Sequence, residues 1–386
     1  MKKLLYLHQY FQTNKDKGGT RSYEFARYLA KKNFKVNIIT GTEQKIKNPY
    51  KNITIFSTNT KYDNKMSKIR RIISFISYNV KAILKGVFCK NIDVIFATST
   101  PLTIGLPAVL LSKIKRKKLL FEVRDVWPDI PIELGYIRNK YTIRILKKFE
   151  MWIYNNSTHI IVLSTGMRNN LIDKGVSEDK ISVIENFSNL YLYDEPMEIH
   201  DDFMKDKFVC IHPGTMGHVN GLDFILDVAK KLSDLDDITF LLIGEGKRKS
   251  HLKNRVNNED IFNVIIKDAL PKHEVVRYIK QSDLGIMCVD NRYKILEDNS
   301  ANKFFDFLAA GLPILINYEG WQKNLIEEEK SGKSSLTPDS MAETILKLKG
   351  NPILLKSMSK NSRNLAEQHY SDVIAKKKLL KVINRL

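Results

Sequence analysis

Apolar residues recur along the first half of the chain as short, largely β-branched runs at residues 4–7, 36–40, 53–56, 94–98, 119–123, 160–163 and 181–184. Each run is bounded by polar residues and too short for a helix, so each predicts a buried strand. Between them, residues 22–32 and 141–155 carry apolar positions at helical spacing. The pattern relaxes through residues 188–206, the expected interdomain linker. A second series of runs follows at 208–212, 239–243, 263–266, 284–288 and 314–316, and residues 351–386 close the chain as a basic helical segment. Strands alternating with helices predict an α/β protein with parallel sheets of βαβ units. At 386 residues the chain exceeds one ordinary core, so two domains are expected.

The densest chemistry lies at residues 298–313, which read D-N-S-A-N-K-F-F-D-F-L-A-A-G-L-P. Phe304, Phe305, Leu308 and Ala309 share one helical face. Asn299, Ser300 and Asn302 stand before the apolar residues and are capping types. The first turn would aim backbone N–H groups and the positive end of the dipole at whatever lies ahead, with Lys303 adding a full charge. A phosphate fits such a site. Asp306, one turn deeper, is placed to accept hydrogen bonds from a vicinal diol such as a ribose, and Gly311 and Pro313 stop the helix. An amphipathic surface helix with solvated charges fits the same pattern.

Other polar clusters sit after predicted strands, where doubly wound sheets bind ligands. Gly18-Gly19-Thr20-Arg21-Ser22 precedes a helix; a plain turn is its alternative. His8 follows the first strand. Glu122, Arg124 and Asp125 end the strand at 119–123, either as active-site groups or as a pair that braces the loop. Gly214 and Gly217 lie in a turn after residues 208–212, and Gly244-Glu245-Gly246-Lys247 forms another. No G-x-G-x-x-G follows the first strand, which argues against a dinucleotide oxidoreductase. No nucleophilic triad or metal-ligand spacing is visible, and Asp234-Leu235-Asp236 reads as surface.

Composition narrows the picture. Three cysteines, far apart and without C-x-x-C spacing, give neither a disulfide framework nor a zinc site. The apolar start ends at His8, short of a signal peptide, and no run reaches the roughly 20 residues that span a bilayer, so a cytoplasmic protein is expected. The net charge of +20 is one-sided: residues 1–194 carry 34 Lys and Arg against 15 Asp and Glu, residues 195–386 carry 29 against 28. A basic domain attracts an anionic leaflet or nucleic acid. Ile69, Ile72, Ile73, Ile76, Val80, Ile83, Leu84 and Val87 form an apolar helical stripe with basic residues mostly off it. It is either a crossover helix facing the sheet or a helix lying in a membrane interface. With the basic cluster at 113–118, the charge favours a membrane-facing first domain.

These motifs together resemble the retaining nucleotide-sugar glycosyltransferases of family 4, whose signature is E, seven residues, E, then A-x-A-x-G-x-P. Asp298 and Asp306 take the two acidic places, and residues 309–313 the rest. One subgroup is similar in its opening, which in this chain reads G-G-x-R-S-x-E-x-A-x-x-L, in E-V-R-D-x-W-P, where Arg124 stands in place of the usual histidine, and in the N-K-F-F-D helix. The resemblance implies a GT-B fold, two Rossmann-like doubly wound domains facing a cleft: 1–190 for the acceptor, 200–365 for the donor, and 366–386 as a helix crossing back to the first. It implies a UDP-sugar donor, a polyprenyl-diphosphate-linked acceptor at an anionic membrane surface, no metal, no cofactor and no nucleic acid. Within the family the chain is similar to N-acetyl-L-fucosamine transferases of O-antigen and capsule assembly.

By the same resemblance Arg124, Asp125 and Asp298 are catalytic. Gly18, Gly19, Gly214, Gly217, Lys247, Asn299, Ser300, Asn302, Lys303 and Asp306 bind donor, and His8 and Glu122 bind acceptor. The chain departs from the family where an Arg and a Lys usually meet the diphosphate, since Met216 and Asn220 occupy that neighbourhood. The charge then falls to backbone N–H groups, Lys303 and Lys247 or Arg292. A UDP-N-acetylhexosamine 2-epimerase of the same fold and a basic nucleic-acid-binding protein are the alternatives.

Overall fold

The computed structural model describes residues 1–13, 21–42, 50–60, 62, 66–195 and 201–386. They form two compact units. One holds the described residues up to Glu185 together with Lys376–Leu386; the other holds Asn186–Ala375.

In the first unit β1 (Lys3–Leu7), β2 (Lys35–Thr40), β3 (Ile53–Ser57), β4 (Val94–Thr98), β5 (Lys118–Val123), β6 (His159–Val162) and β7 (Ile181–Val183) make one parallel sheet. Its order is β3-β2-β1-β4-β5-β6-β7. Leu5 pairs with Asn37 on one side and Ile95 on the other. Helices cover both faces, which is why the strands are continuous apolar runs rather than alternating ones. The strand order reverses between β1 and β4, so the carboxyl ends of β1, β4 and β5 form the crevice where such sheets bind ligands.

The second unit repeats the plan with β8 (Phe208–Pro213), β9 (Ile238–Ile243), β10 (Val264–Lys267), β11 (Leu284–Met287), β12 (Ile314–Ile316) and β13 (Gly332–Ser334). The order is β10-β9-β8-β11-β12-β13, all parallel, with the reversal between β8 and β11. Two parallel doubly wound sheets make the GT-B class. β13 is absent from the hydropathy pattern because Gly332-Lys333-Ser334 is a polar edge strand. Gly332 lies so close to β12 that a Cβ there would sit 2.2 Å from the Ile314 carbonyl oxygen.

The expected linker begins as part of the second unit. Tyr193 is buried, Ser188 bridges Ser371, and Asp194 takes a 2.6 Å bond from Arg363. The terminal segment forms two helices, Pro352–Gln368 and Asp372–Arg385, the second of which returns to the first unit at Lys376. There Lys376 donates to Glu24 and Lys378 to Glu185, each at 2.8 Å.

The helix Lys68–Phe88 reverses the crossover reading of its stripe. Its inward face is Ser74, Tyr78, Asn79, Ala82 and Gly86, and the Tyr78 hydroxyl donates to Ile39 O at 3.0 Å. Small residues let it lie close on the neighbouring helix Gly105–Lys115, where a Cβ on Gly86 would stand 2.4 Å from Leu111 Cδ1. Ile69, Ile72, Ile73 and Ile76 face outward, while Ile83 is half-buried.

Candidate functional site

In the second unit the chemistry converges at the end of β8. The helix Asn302–Ala310 begins there and ends on Gly311 at φ 70°, a left-handed cap suited to glycine. Lys303, on its first turn, places Nζ 2.7 Å from His212 Nε2. The other ring nitrogen, Nδ1, lies 2.9 Å from the Ile286 carbonyl and donates to it. Nε2 is therefore the bare acceptor, and the imidazole orients the ammonium. Burial, the adjacent ammonium second, holds His212 well below the usual imidazole range. Burial also pushes Lys303 down to about 8.

Gly214 makes the arrangement possible. Its φ is 140°, and a Cβ on it would stand 2.9 Å from Lys303 Nζ. Gly214→Ala is expected to displace the ammonium and weaken UDP binding about tenfold, or about 1.4 kcal/mol. Titration calorimetry with UDP checks this, with Gly175→Ala as the control for a positive-φ glycine whose Cβ would meet nothing.

The capping expectation is corrected. The N-cap is Ala301, without a side-chain cap bond. Asn299 instead folds onto its own loop, donating to Leu296 O at 2.9 Å and accepting from Ala301 N at 3.4 Å. Asn302 is exposed. Ser300 is buried, and its hydroxyl has no hydrogen-bond partner among the described residues. Buried polar groups are almost always paired, and this hydroxyl stands just before the helix start. Burial pushes the Asp298 carboxyl up.

Asp306 is buried, with Oδ1 accepting from Ser188 Oγ at 2.8 Å and Oδ2 paired with Lys272. A diol would have to share those oxygens. Lys272 carries no signal in the sequence beyond opening a helix. The family's missing basic positions are accounted for: Met216 is wholly buried in the core, and Asn220 folds back over Gly217. Arg292 is committed to Asp290 through two bonds of 2.7 and 2.6 Å. Lys247 is exposed beyond β9.

In the first unit Arg124 and Asp125 follow β5, beside Ser99 and Thr100 after β4. Ser99 Oγ accepts from the Arg124 backbone N–H, and Thr100 Oγ1 donates to Asp125, each at 3.0 Å. No ion pair joins Arg124 to Glu122 or Asp125 among the described residues, so the bracing pair does not form. His8 is buried at the end of β1, its Nδ1 without a partner among the described residues. Burial, with Arg124 nearby, pushes it down to about 3, so the ring is neutral.

Glu122 requires a correction. It is wholly buried, with Oε1 2.9 Å from Arg21 Nε and Oε2 accepting from Thr98 Oγ1 at 3.0 Å. Arg21 also donates to the carbonyls of Glu185 and Ile184 at 2.6 and 2.7 Å. A carboxylate so enclosed braces the sheet and does not face an acceptor. Gly18 and Gly19 lie outside the described residues. No group of His, Cys, Asp and Glu among the described residues is arranged to hold a metal ion.

Comparison with known proteins accords with this geometry. Residues 18–190 match the sequence model of Glycosyltransferase Family 4, and residues 198–365 that of Glycosyl transferases group 1. A putative colanic acid biosynthesis glycosyl transferase, WcaI of Escherichia coli K12, is 22% identical over 42% of this chain and 43% of its own length. The chain thus spans under half of that relative. Alpha-monoglucosyldiacylglycerol synthase of Acholeplasma laidlawii is 19% identical over 84% of this chain and 86% of its own. The structure of Anabaena Alr3699/HepE in complex with UDP-glucose superposes with a TM-score of 0.75 at 13% identity, covering both chains entirely. The two sequence models follow one another along most of the chain, each on its own parallel-sheet unit, and the chain belongs to the GT-B glycosyltransferases, a family 4 domain followed by a group 1 domain.

Proposed function

We propose that the protein transfers a sugar from a UDP-sugar, with retention at the anomeric carbon and without a metal, to a saccharide carried on polyprenyl diphosphate at the inner, anionic face of a membrane. The sugar we infer is N-acetyl-L-fucosamine or another N-acetylamino sugar, for O-antigen or capsule assembly. The observation that carries the reading is the half-buried Lys303 ammonium, held by His212 over Gly214 at the start of a helix. Leaving-group charge develops on a diphosphate, and a fixed ammonium with helix N–H groups stabilises it without reorganisation. That pairing supplies positive charge where many phosphate sites use a metal.

In this reading Asp306 and Lys272 meet the ribose, the Ser300 hydroxyl meets the donor, and Asp298 with its loop holds the donor sugar. Arg124 and Asp125 orient the acceptor at the β5 end, beside the neutral His8. The names of the relatives, colanic acid biosynthesis and diacylglycerol glycosylation, support a saccharide or lipid acceptor.

The test is incubation of purified protein with a panel of sugar nucleotides and a lipid-linked acceptor, with product linkage read by NMR. Turnover of a UDP-N-acetylamino sugar to an α- or β-linkage matching the donor is expected. Turnover of UDP-glucose alone overturns the amino-sugar assignment, and interconversion of UDP-sugars without acceptor overturns transfer.

A further inference from the structure

The outward face of the Lys68–Phe88 helix has no part in the reaction proposed above. Ile69, Ile72, Ile73, Ile76, Val80 and Leu84 are each 51–71% exposed, and Phe88 at the helix end is 79% exposed. They follow the i, i+3, i+4, i+7 pattern of one stripe along the 21-residue helix. That is about 30 Å of helix. Soluble monomers rarely leave a continuous apolar strip of more than a few hundred Å² in water. The helix is fixed in this orientation, because its other face buries Tyr78 and Ala82 and closes on Leu111.

We infer that this face is an in-plane docking surface for an anionic bilayer, with the isoleucine stripe in the acyl boundary and the flanking lysines and arginines at the headgroups. Charge selects the occupant. Residues 66–92 contain six Lys and Arg and no Asp or Glu. The adjoining helix Gly105–Lys115 carries exposed Ile114 beside exposed Lys113 near its end. The helix Lys140–Asn156, which packs against Gly105–Lys115, carries exposed Tyr141 and Ile145 with exposed Arg144 and Lys148. A second copy docking on the same stripe by a two-fold axis would set these basic rims against each other. A leaflet of acidic lipid supplies the opposite charge and an apolar layer together. No helix among the described residues is long and apolar enough to cross a membrane, so docking is peripheral.

The purpose of this surface rests on the lipid-held acceptor proposed above, but its test does not. Full-length protein is floated with vesicles of equimolar phosphatidylglycerol and phosphatidylethanolamine, and with pure phosphatidylcholine, in the absence of any sugar nucleotide. Binding to the acidic vesicles, weakened by salt, is expected, and Ile72→Glu with Ile76→Glu lowers the partition at least tenfold. Both positions are exposed, so circular dichroism and the unfolding temperature stay unchanged. Turnover of a short-chain, water-soluble acceptor also stays unchanged, while turnover of the vesicle-held acceptor falls. Absence of vesicle binding by the parent protein overturns the inference. So does a sedimentation shift to dimer that the double variant abolishes without any vesicle binding. Vesicle binding without turnover of any UDP-sugar leaves the docking surface standing and removes only the proposed reaction.

Discussion

Lys303→Ala is expected to lower kcat/KM for the sugar nucleotide by about 10²- to 10³-fold, the scale of deleting one fixed donor to a developing charge. The effect is large because the second unit has few other ways to meet a diphosphate. Met216 is core, Asn220 is turned onto its own loop, and Arg292 is spent on Asp290. Lys247 is exposed, and water screens its charge. Lys247→Ala should therefore cost less than about fivefold. Equal losses for the two variants would mean that the diphosphate does not lie over Gly214. The pH dependence gives a second handle. Because burial lowers Lys303 to about 8, the empty site loses its proton as pH rises through that value. A diphosphate binds the ammonium form, so UDP affinity holds below about 8 and falls roughly tenfold per unit above it, until the higher pKa of the complex is reached. Calorimetry of UDP across that range shows the break in the parent and none in Lys303→Ala.

The sheets were legible because parallel strands covered on both faces must be apolar runs, and twelve of the thirteen strands coincide with such runs. β13 escaped because its pairing is backbone only, through Gly332-Lys333-Ser334. The site was legible where local chain geometry creates it. Lys303 had to stand at a helix start, whatever the rest of the fold did. Its partner His212 is 91 residues away, and nothing in H-P-G says which nitrogen faces a lysine. Periodicity likewise identified an apolar stripe on residues 69–87 without its direction. Hydropathy sets which residues share a face; Gly86, Ala82 and Tyr78 decided which face turned inward.

Glu122 shows the opposite failure, a charged residue at a strand end that reads as chemistry and is architecture. Its partner, Arg21, lies 101 residues earlier in the chain. Glu122→Gln is expected to destabilise the first unit by about 3–5 kcal/mol, because it leaves a buried guanidinium without its counter-charge. Burial already pulls the Arg21 pKa down, and the Glu122 charge offsets that. The loss would also release Arg21 from the carbonyls of Ile184 and Glu185, which close the sheet after β7. For a domain of this size the unfolding temperature should fall by about 10 °C. The two units have separate cores, so calorimetry should show the shift in one transition and not in the other, and UDP should still bind the second unit. The ion pair is also replaceable in principle: Arg21→Met combined with Glu122→Leu should recover much of the loss, since a packed apolar pair carries no desolvation penalty. A Glu122→Gln protein that keeps its stability but loses acceptor turnover would instead return this carboxylate to the active site.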